Sequence, residues 1–375
     1  MEAAISKNSD IEVKFQPIVS IVQKSVIGFS CDIINCNSDS DITSISELYH
    51  YENRLLFIKI NMDVLSEVVN SEIILDLVSK FNIAPKSVVL EIYENNLDNE
   101  QALKLFINLY RSKGFLISLT IGSGFSALNK IFYVEPDIIK IDEPITRGIE
   151  IDFYKKEIFK ALVNLSKRIS ALIIADGVNT EEQAIILMEL GADMLQGNYF
   201  GRYQNSNPRI LSTADKRVDN IVSLFKIYKK EQIEFEQLKH RKYEELLNTV
   251  ISELSTIKEE QFDKKLKELI NKYDIFECVY VLNESGVQVS DTITHFDKII
   301  SRKSLIFRPA EKGIDHSLKK YYYLLKDMGL DKYSTDEYLS LASGNLCITI
   351  SEKFECINKT KYILCMDFVP TNVDR

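Results

Sequence analysis

Three groupings in this 375-residue chain have residue types and spacings that invite chemistry. The first is Asp315-His316-Ser317, an acid, an imidazole and a hydroxyl in consecutive positions. Immediate neighbours cannot take up the nucleophile, base and orienter geometry of a triad, so the triplet reads as a cap for a helix beginning near Leu318. The second is the set of six cysteines, Cys31, Cys36, Cys278, Cys347, Cys356 and Cys365. None forms a C-x-x-C pair and no nearby histidine completes a zinc pattern, so they read as reduced thiols of a cytosolic protein without a cofactor. The third is the glycine-rich stretch 122–128, GSGFSAL. Its backbone N–H groups could cradle an anion; a turn in which Gly122 and Gly124 take positive φ is the plainer reading.

The elements that would position such residues fall into two patterns. From Phe15 to about Tyr203, apolar strands alternate with amphipathic helices. Strands are expected at Phe15–Val22, Val26–Ile34, Leu55–Asn61, Ser87–Tyr93, Phe115–Ile121, Asp137–Asp142, Ala171–Asp176 and Met194–Gln196. Their near-continuous apolar character suits strands buried on both faces of a parallel sheet. Helices are expected at Val64–Phe81, Glu100–Lys113, Phe153–Lys167 and Glu181–Leu190, the last with Thr180 as N-cap and Gly191 just past its end. Repeated βα units of this number favour a TIM-type barrel, opened by a hairpin with Gln23-Lys24-Ser25 at its tip. From about Ala214 to Tyr273 the chain has no proline or glycine and repeats apolar residues at helical spacing. One long connecting helix or two consecutive ones are expected, serving either as a dimer seam or as packing on its own domains. Beyond Tyr273, short strands flank a polar middle and NESG marks a turn, which suggests a small antiparallel α+β domain. The expected division is therefore a barrel over 1–213, a helical connector over 214–272 and a smaller domain over 273–375.

The composition sets limits. Lys and Arg total 46 against 55 Asp and Glu, a formal charge of −9, which argues against a nucleic-acid footprint. Apolar residues are 45% and charged residues 27%, an ordinary globular balance. No apolar run is long enough for a membrane-spanning helix, and the N-terminus lacks the pattern of a secretory signal.

Six phrases in the first half, in order, carry a resemblance: FQPIVSIVQKSVIGFSCDII, LFIKIN, VVLEIYE, GFLISLTIGSGFSAL, PDIIKID and ADGVNTEEQAIILMELGADMLQGNYF. Together they resemble the EAL family of bacterial cyclic di-GMP phosphodiesterases over Phe15 to about Tyr203. The resemblance implies a modified TIM barrel with its site at the strand C-termini. It also implies a phosphodiester hydrolysis assisted by two divalent metals, which need several oxygen ligands, mostly carboxylates.

Against that pattern the acids are depleted. Ser30 stands where the family has its metal-binding glutamate, Asp32 where it has leucine, and Ile34 where it has an arginine that helps hold the nucleotide. Leu119 and Thr120 stand where it has two metal-binding aspartates. Asp176 shortens one glutamate by a methylene, and Asn179 replaces another by an amide. Asn61 and Glu91 match two metal ligands, Lys140 matches the lysine near the attacking water, and Gln16, Gln196 and Gly197 also match. The expectation is a catalytically inactive homologue that holds no metal, with Asn61 and Glu91 as remnants. Gln16, Lys140, Gln196 and Gly197 are its ligand-binding candidates. A structural alternative pairs Lys140 with Glu91 at the barrel mouth.

In the second half, the stretches around Arg308–Tyr323, Tyr338–Gly344 and Tyr362–Val369 resemble Cache-type (PAS-like) sensory domains. The resemblance places Lys319, Tyr321, Tyr322 and Tyr338 around a small-molecule pocket, with Ser340 where amino-acid-binding members have an acid. A cation beside aromatics would suit a small anionic metabolite. Adjacent aromatics on one helix cannot all face one pocket, so packing explains the tyrosines equally well.

The chain thus reads as a cytoplasmic signalling protein that works through protein interaction, as a homodimer in one arrangement, with small-molecule input at its C-terminal domain. The alternatives are a non-hydrolysing cyclic di-GMP receptor and an active phosphodiesterase with an unusual metal set.

Overall fold

The structure, a computed structural model, describes residues 12–34, 54–60, 74–75, 78–79, 82–93, 100–122, 128–204, 209–273, 275–294 and 307–370. Contact clustering divides the chain into a unit over Met1–Glu231 and a unit over Gln232–Arg375.

In the first unit β1 (Glu12–Ser20), β2 (Ser25–Ile34), β3 (Leu55–Ile60), β4 (Val88–Ile92), β5 (Leu116–Ile121), β6 (Ile138–Ile141), β7 (Leu172–Ala175) and β8 (Met194–Gln196) close into a barrel in sequence order. β1 runs antiparallel to both of its neighbours, and the remaining pairs are parallel. The tip of the β1–β2 hairpin turns through Lys24 at φ 54°. Helices α1 (Glu100–Ser112), α2 (Ile131–Val134), α3 (Glu143–Thr146), α4 (Phe153–Arg168) and α5 (Glu181–Glu189) intervene between strands. Thr180 caps α5 by accepting from Gln183 N, and Gly191 follows the helix at φ 98°.

Strand parity divides the barrel residues. Outward-facing Leu56, Ile58, Leu90, Ile117, Leu119, Ile139 and Ile173 join the main core with the helices. Inward-facing Ile18, Phe57, Val89, Ile138, Ile174 and Met194 form a separate apolar plug. The residue two positions beyond each plug member, towards the C-terminal end of its strand, is polar: Lys59, Glu91, Lys140, Asp176 and Gln196. On the reversed β1 the corresponding residue is Gln16, two before Ile18. The period of two along each strand therefore stacks a polar layer directly above an apolar one.

Helix α6 spans Arg209–Ser255 as one element. Its Ala214, Val218, Ile221 and Val222 belong to the barrel core. Its Tyr243, Leu246, Leu247, Val250 and Leu254 belong to the core of the second unit. The stretch expected as a connector thus contributes residues to both cores.

In the second unit α7 (Phe262–Ile270) follows, and the sheet is antiparallel, with β10 (Ile293–Thr294), β9 (Phe276–Asn283), β14 (Lys361–Phe368), β13 (Leu346–Glu355) and β11 (Lys332–Ser334) in that order. β12 (Tyr338–Leu339) pairs with β13 off this path. α6 and α7 cover one face, with Phe276, Val279, Ile350, Leu364 and Met366. The other face carries Tyr280, Leu282, Ile363 and Cys365 against Tyr321, Tyr322 and Leu325 of α8 (Lys320–Asp327). The NESG segment turns as expected, with Gly286 at φ 81°. Cys31, Cys278, Cys347, Cys356 and Cys365 are buried free thiols; Cys36 lies outside the described residues.

Gly197, just past β8, has φ 151°, and a Cβ there would sit 2.2 Å from Val178 O and 2.3 Å from Val178 N. Both are backbone atoms, and Val178 N and O are already tied to Gln196 O and Tyr199 N. Gly197→Ala should therefore lower unfolding free energy by roughly 3 kcal/mol in a denaturant titration, whether or not a ligand is added.

Candidate functional site

At the C-terminal ends of the barrel strands the polar layer closes around Lys140. Its side chain is 1% exposed, and Nζ lies 2.9 Å from Glu91 Oε1 and 3.2 Å from Asp176 Oδ2. Burial alone would push the ammonium's pKa down; the Glu91 and Asp176 charges outweigh it and hold the pKa well above the usual value. Tyr93 donates to Glu91 Oε2 at 3.4 Å, and burial, then the Glu91 charge, pushes its phenol up. The second oxygen of Asp176 accepts from Gly177 N at 2.7 Å. Asp142 caps α3 by accepting from Glu143 N, and burial raises its pKa.

A second network lies on the β1, β2 and β8 side. Gln196 Nε2 donates to Gln16 Oε1 at 2.7 Å and to Tyr203 OH at 3.2 Å. Gln16 Nε2 donates to Gly201 O at 3.0 Å. The hydroxyls of Ser30 and Tyr203 lie 3.1 Å apart. Tyr203 therefore lies over the position that the EAL resemblance assigns to a metal-binding glutamate.

The expected site residues part company here. Gln16, Ser30, Glu91, Thr120, Lys140 and Gln196 are all buried in the barrel interior. Leu119 packs outward into the helix layer, so its place in the site is a matter of sequence position and not of direction. Asn179 is exposed; its amide donates to Gly177 O and accepts from Asn198, which shapes the loop after β7. Gly197 acts through the close backbone approach described above. Asn61, the side chains of Asp32 and Ile34, and most of the GSGFSAL stretch lie outside the described residues.

Sequence reading missed three residues. Lys59 is the inward residue of β3 and the register partner of Glu91, with Nζ 5.1 Å from the Tyr203 ring centroid and 6.0 Å from that of Tyr93. Tyr93 and Tyr203 are the other two. The period of two from Phe57 would have flagged Lys59.

In the second unit the expected aromatic box beside a cation does not form one network. Lys319 is exposed at the N-cap position of α8. Tyr321 is buried with its hydroxyl 2.7 Å from His316 Nδ1, and the His316 ring stacks on Tyr280. Tyr322 donates to Glu284 O and accepts from Lys326. Tyr338 lies 2.6 Å from Thr349 Oγ1. His316 does not cap α8 as expected. It is buried between Tyr321 and Gln288 Oε1, while Asp315 accepts from Ser317 N. Burial pushes the His316 pKa down, helped by the Lys319 charge.

The titratable groups buried near Tyr338 are acids. Asp367, in the central strand β14, is 2% exposed and accepts from Thr349 Oγ1 at 2.7 Å. Cys278 and Thr349 are its register partners on the flanking strands. Glu277 is fully buried, with Oε1 accepting from Asn345 Nδ2 at 2.6 Å. Burial, then the charge of Glu277, pushes Asp367 up to about 7, and burial pushes the thiols of Cys278 and Cys347 up as well. These thiols stay protonated and unreactive near neutral pH.

Two predictions follow from this geometry. Lys140→Met leaves the fully buried Glu91 without its cation and should destabilise the chain by about 3–5 kcal/mol in a denaturant titration. The pair Lys140→Met with Glu91→Gln should recover part of that loss. Asp367 is protonated longer in the folded state than in the unfolded chain, so its stabilising contribution is complete below about pH 4 and lost as pH rises through about 7. Asp367→Asn should therefore raise the melting temperature by several degrees at pH 8 and leave it nearly unchanged at pH 4.

Comparison with known proteins bears on the barrel. Residues 36–203 match the family described as EAL domain. The probable cyclic di-GMP phosphodiesterase PdeA of Escherichia coli K12 is 30% identical over 133 residues, 35% of this chain and 18% of that protein. The probable cyclic di-GMP phosphodiesterase PdeB of the same organism is 24% identical over 221 residues, 51% of this chain and 42% of that protein. The chain thus spans less than half the length of either relative. The Bacillus subtilis YkuI protein, which has an EAL domain and was crystallised with substrate cyclic di-GMP and calcium, superposes with a TM-score of 0.74 at 17% identity. That superposition covers 96% of this chain and 97% of YkuI, so the likeness of fold extends over both units. Among the described residues, no helix is long and apolar enough to cross a membrane. The match to the EAL domain family thus covers residues 36–203, which hold β3 to β8 of the barrel.

Proposed function

We propose that this chain is a cyclic di-GMP signalling protein whose EAL barrel binds without hydrolysing. The observation that carries the reading is the engagement of Glu91 and Asp176 by one ammonium, that of Lys140. Two divalent ions held side by side need several anionic oxygens, and Mg²⁺ gives up its waters reluctantly. Ser30 offers a hydroxyl already close to Tyr203, Thr120 offers a neutral hydroxyl, and Leu119 faces away. Lys59, the register partner of Glu91, adds a second cationic residue to the same wall. These residues do not fit a dinuclear centre.

What remains is a binding or interaction scaffold. The Gln16–Gln196–Tyr203–Ser30 network keeps a polar floor at the strand ends, which favours a non-hydrolysing cyclic di-GMP receptor over a purely protein-interacting barrel. The C-terminal sheet, with α6 and α7 on one face and α8 beside a buried polar cluster on the other, serves in this reading as a Cache-like (PAS-like) input module.

The full chain incubated with cyclic di-GMP and Mg²⁺ or Mn²⁺ should yield no linear dinucleotide over several hours by ion-pair chromatography. Linear product from the wild type, lost in Glu91→Ala, would sink the reading.

A further inference from the structure

Lys59 falls within the phrase LFIKIN but is given no role there, and the fold sets it on the barrel's inner wall. Its neighbours Leu56, Ile58 and Ile60 are buried in the outer core, so strand parity directs Lys59 inward, one step above Phe57 of the plug. Its register partner is Glu91, whose carboxylate is held by Lys140. The Lys59 ammonium is 5.1 Å from the Tyr203 ring centroid, and Tyr203 in turn reaches Ser30 and Gln196. A second, independent observation concerns that interior. Thr120 Oγ1 and Gln196 Oε1 are buried there and have no hydrogen-bond partner among the described residues. Buried polar atoms are seldom left so, and two of them facing one interior mark the place of a polar guest.

We propose that Lys59 is a phosphate-binding residue: its ammonium takes the charge role of a divalent ion and contacts a phosphodiester oxygen directly, so the barrel binds the dianionic ring without metal. A point-like ammonium on a four-carbon stem suits a phosphate oxygen, and desolvation at the barrel mouth strengthens the contact. The Thr120 hydroxyl donates to the same anion, and Gln196 Oε1 accepts from a ligand N–H or hydroxyl. Tyr203 keeps the stem aligned over the polar floor through its ring face.

The proposal rests on the binding reading above and names the residue that replaces the metals. The test titrates the full chain with cyclic di-GMP by calorimetry, in EDTA and then in Mg²⁺, for the wild type, Lys59→Met and Lys59→Arg. Methionine keeps the apolar stem without the charge, so packing on Tyr203 survives. The wild type should bind with the same Kd in both buffers. Lys59→Met should weaken binding at least tenfold with its melting temperature within a few degrees of the wild type, and Lys59→Arg should stay within about threefold. Three outcomes would each overturn the proposal: wild-type binding that needs the divalent ion, Lys59→Met binding like the wild type, or no saturable binding by the wild type up to on the order of 1 mM. None of these requires hydrolysis. Linear product in the same tubes would refute the non-hydrolysing reading separately.

Discussion

A lysine buried inside a closed barrel has to be neutralised where it stands, and at Lys140 that requirement organises the strand ends. The ammonium bridges Glu91 on β4 and Asp176 just past β7, while its own backbone lies in β6. Three strands are thereby locked at one level, and each charge is tolerable only in the presence of the others. The same bonds bear on the chemistry. An acid that already holds an ammonium at 2.9 Å has less negative charge left to offer a divalent ion. Structure and function here draw on one small stock of anionic oxygen.

Much of the barrel was legible because its strands are apolar on both faces. Runs such as LLFIKI and VVLEI end within a residue or two of where the strands end. The cap at Thr180 and the glycine at 191 were legible for a local reason, since N-caps and left-handed termini depend on adjacent residues alone. What motif matching did not supply was direction. Leu119 and Thr120 are adjacent in sequence and face opposite sides of the sheet. Lys59 lies within the phrase LFIKIN, where only its parity with Phe57 shows that it points inward.

The second unit was less legible, for a different reason. Its strands and turn declare themselves locally, but its polar interior is built from residues far apart in the chain. Tyr338 meets Thr349, Thr349 meets Asp367, and Asn345 meets Glu277. The expected cation beside the tyrosines, Lys319, is exposed at a helix start. The sequence signal that could have found the acids is the lone charge inside an apolar strand, Asp367 in KYILCMDF and Glu277 in FECVYVLN. Such a residue is either on an edge facing water or buried with a purpose, and β9 and β14 are interior strands of the sheet.

The residues retained from the EAL pattern serve the fold as well as any ligand. Gln16 and Gln196 tie β1 to β8, Lys140 and Glu91 tie β6 to β4, and Gly197 lets the loop pass close to Val178. A barrel that bound nothing would still lose stability if any of them changed. The discriminating groups are those whose placement costs the fold something and gives it little back. Thr120 Oγ1 and Gln196 Oε1 are buried without partners among the described residues, which is unfavourable for an unliganded protein. Lys59 brings a positive charge to the same inner wall, with its ammonium 5.1 Å from the Tyr203 ring centroid. Two such atoms and an ammonium in one interior are what the proposed anion site requires.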